Sequence, residues 1–259
     1  FINLDLIKSE IKYYDIIFDS NLHWLKLDLK IDISKIWEEI KSFENYGEQS
    51  KTGWKGLAYR GIDLKKMRPH TNYGYDTEDD VPYNWTELAI KAPTLRSELE
   101  TQFPDTKFYR VKINKLLDGG VIPPHFDSRR KGLGLTEHTP YKEIDPYSIK
   151  YVTIALDWPE DVEFYVGHKR LPIKTGDVFL LDFSQIHEVY NYSGKDRVSA
   201  IFTGRLDQSE QFKNLVVNSY QNHKDQKDHV ELKKMPLSRL LSTRITKLSK
   251  SFLNKVKLV

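Results

Sequence analysis

Cysteine is absent from the 259-residue sequence, which excludes disulfides, thiolate metal centres and cysteine nucleophiles. Any metal site must be built from histidine and carboxylate. The sequence also has no run approaching the roughly 20 apolar residues of a membrane-spanning helix, and its N-terminus shows no basic-then-apolar signal pattern. A cytosolic setting is the default expectation. The N-terminus supports it only weakly, because the chain starts at Phe1 and not at methionine, which leaves missing upstream residues open.

Acidic residues are missing from one end. Residues 232–259 contain Lys233, Lys234, Arg239, Arg244, Lys247, Lys250, Lys255 and Lys257 and no Asp or Glu. The formal net charge of +3 therefore belongs to this tail, and the remainder is acidic on balance. No strong nucleic-acid signal survives that division. Leu237, Leu241, Ile245, Leu248, Phe252, Val256 and Val259 recur at three- and four-residue spacing, the pattern of a basic amphipathic helix. Three uses fit it: packing on the main domain, on a twin subunit, or on an anionic surface.

Hydrophobic residues at 39% and aromatics at 12% suffice for a core. Residues 1–105 read as helices and loops. In "ISKIWEEIKSF", Ile33, Ile36, Trp37, Ile40 and Phe43 share a helical face with Ser34 as the expected cap, and "NWTELA" has the capping-box spacing Asn84 to Glu87. A short helix is expected over residues 94–101, and "KTGWKGLAYRGID" suggests a strand or ordered loop.

From residue 107 the period becomes two. "KFYRVKINKLL" alternates Tyr109, Val111 and Ile113 with Arg110, Lys112 and Asn114, a strand with one buried face. Strand-like segments then recur about every ten residues to residue 206, broken by a polar, turn-rich insert at 128–146. No helical segment long enough for a crossover separates them, so a β-sandwich or jelly-roll barrel is expected over a parallel sheet. The division is a helical and loop part at 1–105, a β core at 106–218, and a polar linker with the basic helix at 219–259.

Within the core, "GGVIPPHFDSRR" presents His125 and Asp127 two residues apart, hence on one face of a strand and able to share one ion. His-x-acid pairs occur twice more, at His223/Asp225 and His229/Glu231, but in a charged run without apolar framework that reads as solvated surface. The third ligand candidate is His187 in "DFSQIHEVYNY". Two histidines and one carboxylate form the facial triad of non-haem iron(II) oxygenases, which leaves positions open for a co-substrate and dioxygen. Arg197 and Ser199, on the following strand, share a face, and a guanidinium fork beside a hydroxyl suits a carboxylate.

The order H-x-D, distal His and R-x-S resembles the 2-oxoglutarate-dependent iron(II) dioxygenase superfamily. "LLDGGVIPPHFD" together with "GDVFLLDFSQIHEVYNYSGKDRVSAIF" resembles its aspartyl/asparaginyl β-hydroxylase-like branch, which includes free-proline hydroxylases, over residues 108–206. The resemblance implies a double-stranded β-helix core, cupin-like in form. It implies Fe(II) at His125, Asp127 and His187, and 2-oxoglutarate paired through its distal carboxylate with Arg197, assisted by Ser199. Lys150, Tyr151 and Thr153 are weaker co-substrate contacts by the same resemblance. Some members of the branch lack the carboxylate ligand, whereas Asp127 completes the triad here. The implied reaction consumes O2 and hydroxylates an unactivated C–H of an amino acid, free or in a peptide or protein. The alternatives are a non-catalytic cupin-like metal or ligand module, and an oxygenase acting on another substrate class.

Overall fold

The computed structural model describes residues 12–17, 22–65, 70–76, 78–125, 150–167, 169–183 and 185–223. The chain is mainly β with a few helices, arranged as two antiparallel sheets. The larger sheet takes β1 (Trp24–Lys26), β2 (Gly47–Glu48), β3 (Trp54–Gly61), β4 (Asn84–Trp85), β5 (Phe108–Leu116), β7 (Lys150–Asp157), β10 (Val178–Leu181) and β12 (Arg197–Gly204). The smaller takes β6 (Val121–His125), β8 (Val162–Val166), β9 (Lys169–Arg170) and β11 (His187–Asn191). Strand order is β1-β10-β7-β12-β5-β3-β2, with β4 on β3, and β6-β11-β8-β9.

The N-terminal part, expected as helices and loops, contributes four strands to the larger sheet. β3, expected as a strand or ordered loop, runs eight residues; the other three are short, β1 pairing with β10 through three residues and β2 and β4 each with β3 through two. Segments of that length carry no legible period and form because an existing edge supplies partners for their N–H and C=O groups.

Two apolar layers result. One lies between the outer face of the larger sheet and the helices α1 (Ile33–Ile40), α3 (Thr94–Gln102) and α4 (Glu210–His223), and includes Ile36, Ile40, Leu95, Leu99, Phe212 and Val216 against Val111, Ile113, Val152, Ile154, Ala200 and Phe202. The other lies between the sheets, where Leu116, Ala155, Phe179 and Leu181 meet Ile122, Phe164, Val166 and Val189. β5 was expected to wet one face, yet Arg110 and Asn114 are buried as well as Tyr109, Val111 and Ile113. Its polar face looks into the space between the sheets, so alternation marked an internal wall rather than solvent.

The caps differ from expectation in detail. α1 is capped by Asp32, whose Oδ1 accepts from Lys35 N–H at 2.9 Å, and Ser34 already lies inside the helix. Asn84 belongs to β4, and Thr86 caps α2 (Glu87–Lys91). The turn before β6 uses Gly119 at φ 71°, and a Cβ on Gly120 would sit 2.6 Å from Leu117 O, which explains the double glycine. Pro123 and Pro124 lie on β6, an edge of the smaller sheet, where a missing N–H is tolerated. Asn222 and His223, read as the start of a linker, instead end α4, and both side chains bond the Asp28 carboxylate, at 2.8 and 2.7 Å. The basic helix expected at 232–259 lies outside the described residues.

Candidate active site

β6 ends on His125 and β11 begins on His187, and the antiparallel register sets the two directly opposite. Their ring centroids are 4.1 Å apart with planes at 50°. Each Nδ1 bonds the backbone carbonyl two residues earlier, Pro123 O at 2.8 Å and Gln185 O at 3.0 Å. A carbonyl can only accept, so each Nδ1 carries the hydrogen, which leaves Nε2 as the ring nitrogen able to offer a lone pair. That is the tautomer of a histidine metal ligand with its orienting partner in place. His187 is 5% exposed and stacks on Phe183 at 4.3 Å and 17°. The Trp54 ring lies 6.3 Å from His125. Asp127 falls outside the described residues, and among those described no third His, Asp or Glu joins the pair.

Arg197 and Ser199 occupy the inner wall. Arg197 is 3% exposed. Its Nη1 donates to Ser199 Oγ at 2.6 Å, and its Cζ stands 4.7 Å over the Trp158 ring. Neither Asp182 nor Asp196 pairs with it; Asp196 Oδ1 accepts from Asp118 N–H at 3.1 Å. Among the described residues Arg197 makes no ion pair, and its Nε has no hydrogen-bond partner. Burial pushes its pKa down to about 9, so it is still protonated at neutral pH. A buried cation without a counter-ion is costly. Its fork is shaped to take a carboxylate bidentately, and such a ligand would relieve that cost. Thr153 Oγ1 and Trp158 Nε1 are likewise buried without a partner. The donor set therefore fits both groups: two imidazoles for a divalent cation of the iron or zinc kind, and an orphaned guanidinium for an organic anion.

Tyr151 links this wall to the histidines, its ring 4.9 Å from Phe183 and its hydroxyl 3.5 Å from Arg110 Nη2. Lys150 opens β7, but its side chain lies outside the description. Arg110 in turn pairs with buried Glu78 at 3.0 Å, which also accepts from Tyr83 Oη. Among the N-terminal aromatics Trp54 reaches the site, whereas Tyr59 is core and Trp85 packs under Arg60 and Arg96. Sequence reasoning passed over Phe183 and Trp158. Phe183 is legible only as an aromatic four residues before His187, and Trp158 only as the residue after a β7 strand whose inner face is not apparent from the chain.

The family model for aspartyl/asparaginyl β-hydroxylase matches residues 28–204. The chain belongs to that family. It is therefore an enzyme of the 2-oxoglutarate-dependent iron(II) dioxygenase superfamily, and the match reaches from before α1 to the end of β12. No curated protein matches the chain. Among solved structures it is similar to an oxidoreductase of the 2OG-Fe(II) oxygenase family from Burkholderia pseudomallei, at 14% identity, covering 76% of this chain and 91% of that one, with a TM-score of 0.48. It is also similar to HygX from Streptomyces hygroscopicus with nickel, 2-oxoglutarate and hygromycin B bound, at 12% identity, 78% and 87% coverage and a TM-score of 0.42. A third likeness is to a prolyl hydroxylase from Trichoplax adhaerens in complex with a hypoxia inducible factor peptide fragment, at 13% identity, 82% and 95% coverage and a TM-score of 0.40.

Proposed function

We propose that this enzyme hydroxylates an unactivated C–H of an amino acid, free or within a peptide or protein, in a double-stranded β-helix core formed by the two facing sheets. His125 and His187 would hold Fe(II) through Nε2, with Asp127 as third ligand. Arg197, steadied by Ser199, would bind the distal carboxylate of 2-oxoglutarate, and Lys150, Tyr151 and Thr153 would line the co-substrate. Iron and 2-oxoglutarate, when bound, supply the oxidising chemistry that uses O2. The chain itself orients both imidazoles, neutralises the carboxylate, and keeps water away by burying the Arg197 end of the cavity.

One observation carries the reading: a protonated guanidinium buried between the sheets with no counter-ion among the described residues. Anaerobic titration of the Fe(II)-loaded protein with 2-oxoglutarate tests it. A weak visible metal-to-ligand band should appear, and should be missing in His187→Ala. Iron binding without the band would favour a cupin-like module that takes no 2-oxo acid. Succinate release on addition of candidate amino acids and peptides then identifies the substrate class.

A further inference from the structure

We propose that Trp158 is a co-substrate-binding residue: its indole N–H is a second donor, beside the Arg197 guanidinium, to the distal carboxylate of the 2-oxo acid. The inference rests on the function proposed above and adds a contact that neither the R-x-S pattern nor the metal pair contains.

Trp158 is 4% exposed, and among the described residues its buried Nε1 finds no acceptor. A buried indole N–H ordinarily finds one. The same holds for Arg197 Nε, and the guanidinium carbon lies 4.7 Å from the centroid of that indole. Two side chains in contact thus each hold an unanswered hydrogen. Both atoms are donors, so neither can satisfy the other; a third group bearing acceptors is required. A carboxylate offers about four acceptor positions, enough for the Arg197 fork and the indole together, and it alone also neutralises the cation.

The indole is not loosely placed. It stacks on Phe164 at 6.1 Å and 18°. The Trp158 backbone is clamped by Thr175, whose Oγ1 accepts from Trp158 N–H at 2.7 Å and donates to Trp158 O at 3.3 Å. An N–H held this way cannot swing to find another acceptor, so its direction is set before the ligand arrives. That is pre-organisation of a recognition group.

The test uses the full chain loaded with Zn(II), which is diamagnetic, and 15N-labelled at its five tryptophans. Saturating 2-oxoglutarate should move the Trp158 indole resonance downfield and slow its exchange with solvent; glutarate, lacking the 2-oxo group, should do the same more weakly. Trp158→Phe keeps an aromatic face without the N–H, assigns the resonance by its loss, and should bind 2-oxoglutarate about tenfold more weakly by calorimetry. If that variant does not accumulate, triple-resonance assignment of the wild-type indole decides the matter by the same shift. An unmoved Trp158 resonance in a wild-type protein that does bind 2-oxoglutarate would overturn the inference and leave the oxygenase reading intact. Failure of the wild-type protein to bind 2-oxoglutarate at all would instead remove the reading on which it rests.

Discussion

Replacing Arg197 by methionine should make the ligand-free protein more stable while destroying co-substrate binding. The buried guanidinium has one hydroxyl partner, an indole face and no carboxylate among the described residues. Burial lowers its pKa to about 9 because the charge is kept out of water. At 1.36 kcal/mol per unit, the fall from 12.5 corresponds to a cost of order 5 kcal/mol. Methionine would relieve that cost but forfeit the cation–π contact and some packing, leaving a net gain of about 1–3 kcal/mol at pH 7. The sign with pH follows. Because the folded-state pKa lies below the unfolded one, the penalty is full below about pH 9 and fades as pH rises through it, so the advantage of the variant should shrink there. Binding should move the opposite way: losing a buried charge pair costs about 2–5 kcal/mol, or ~30- to 5000-fold in 2-oxoglutarate affinity. Urea denaturation without ligand at pH 7 and 10, and calorimetry with 2-oxoglutarate at pH 7, measure both. A variant that loses stability at pH 7 yet binds 2-oxoglutarate normally would show Arg197 to be structural and refute the argument.

Other outcomes follow from the same geometry. His125→Ala should lose most Fe(II) affinity and all turnover with little change in ligand-free stability; retention of tight iron in equilibrium dialysis would contradict the metal assignment. In the wild-type protein, 2-oxoglutarate affinity should be constant below pH 8 and fall as Arg197 deprotonates through about pH 9; a flat profile to pH 10 would mean another group holds the carboxylate. Glu78→Gln leaves the Arg110 charge buried with its carboxylate removed, and should cost about 3–5 kcal/mol in urea denaturation. A loss under 1 kcal/mol would show that Tyr83, not Arg110, defines what Glu78 is for.

Apart from two-residue β9, the strands from β5 onward were legible because each runs four residues or more and most are bounded by Gly, Asp or Asn turns. β1, β2 and β4 were not, since two or three residues become a strand only when an edge is present to receive them. Arg110 and Asn114 looked like the wet face of β5 because sequence alternation separates polar from apolar but cannot say whether the polar side meets water or a cavity. His187 could be suspected from its place before Arg197. That it stands opposite His125 is a matter of register between strands far apart in the chain, which composition does not encode. Trp158 was hidden for a different reason: its significance is an unmet hydrogen bond, visible only once every neighbour has a position.

Both candidate metal ligands are braced at Nδ1 by the main chain itself, at Pro123 O and Gln185 O. Such a brace cannot be deleted by point mutation, because every residue type carries the same carbonyl. It also travels with its ligand, two positions away in sequence, so rearrangement elsewhere in the two sheets leaves each ring aimed as before. Substrate preference in such a scaffold is therefore free to drift through the walls of the cavity without the imidazoles losing their aim.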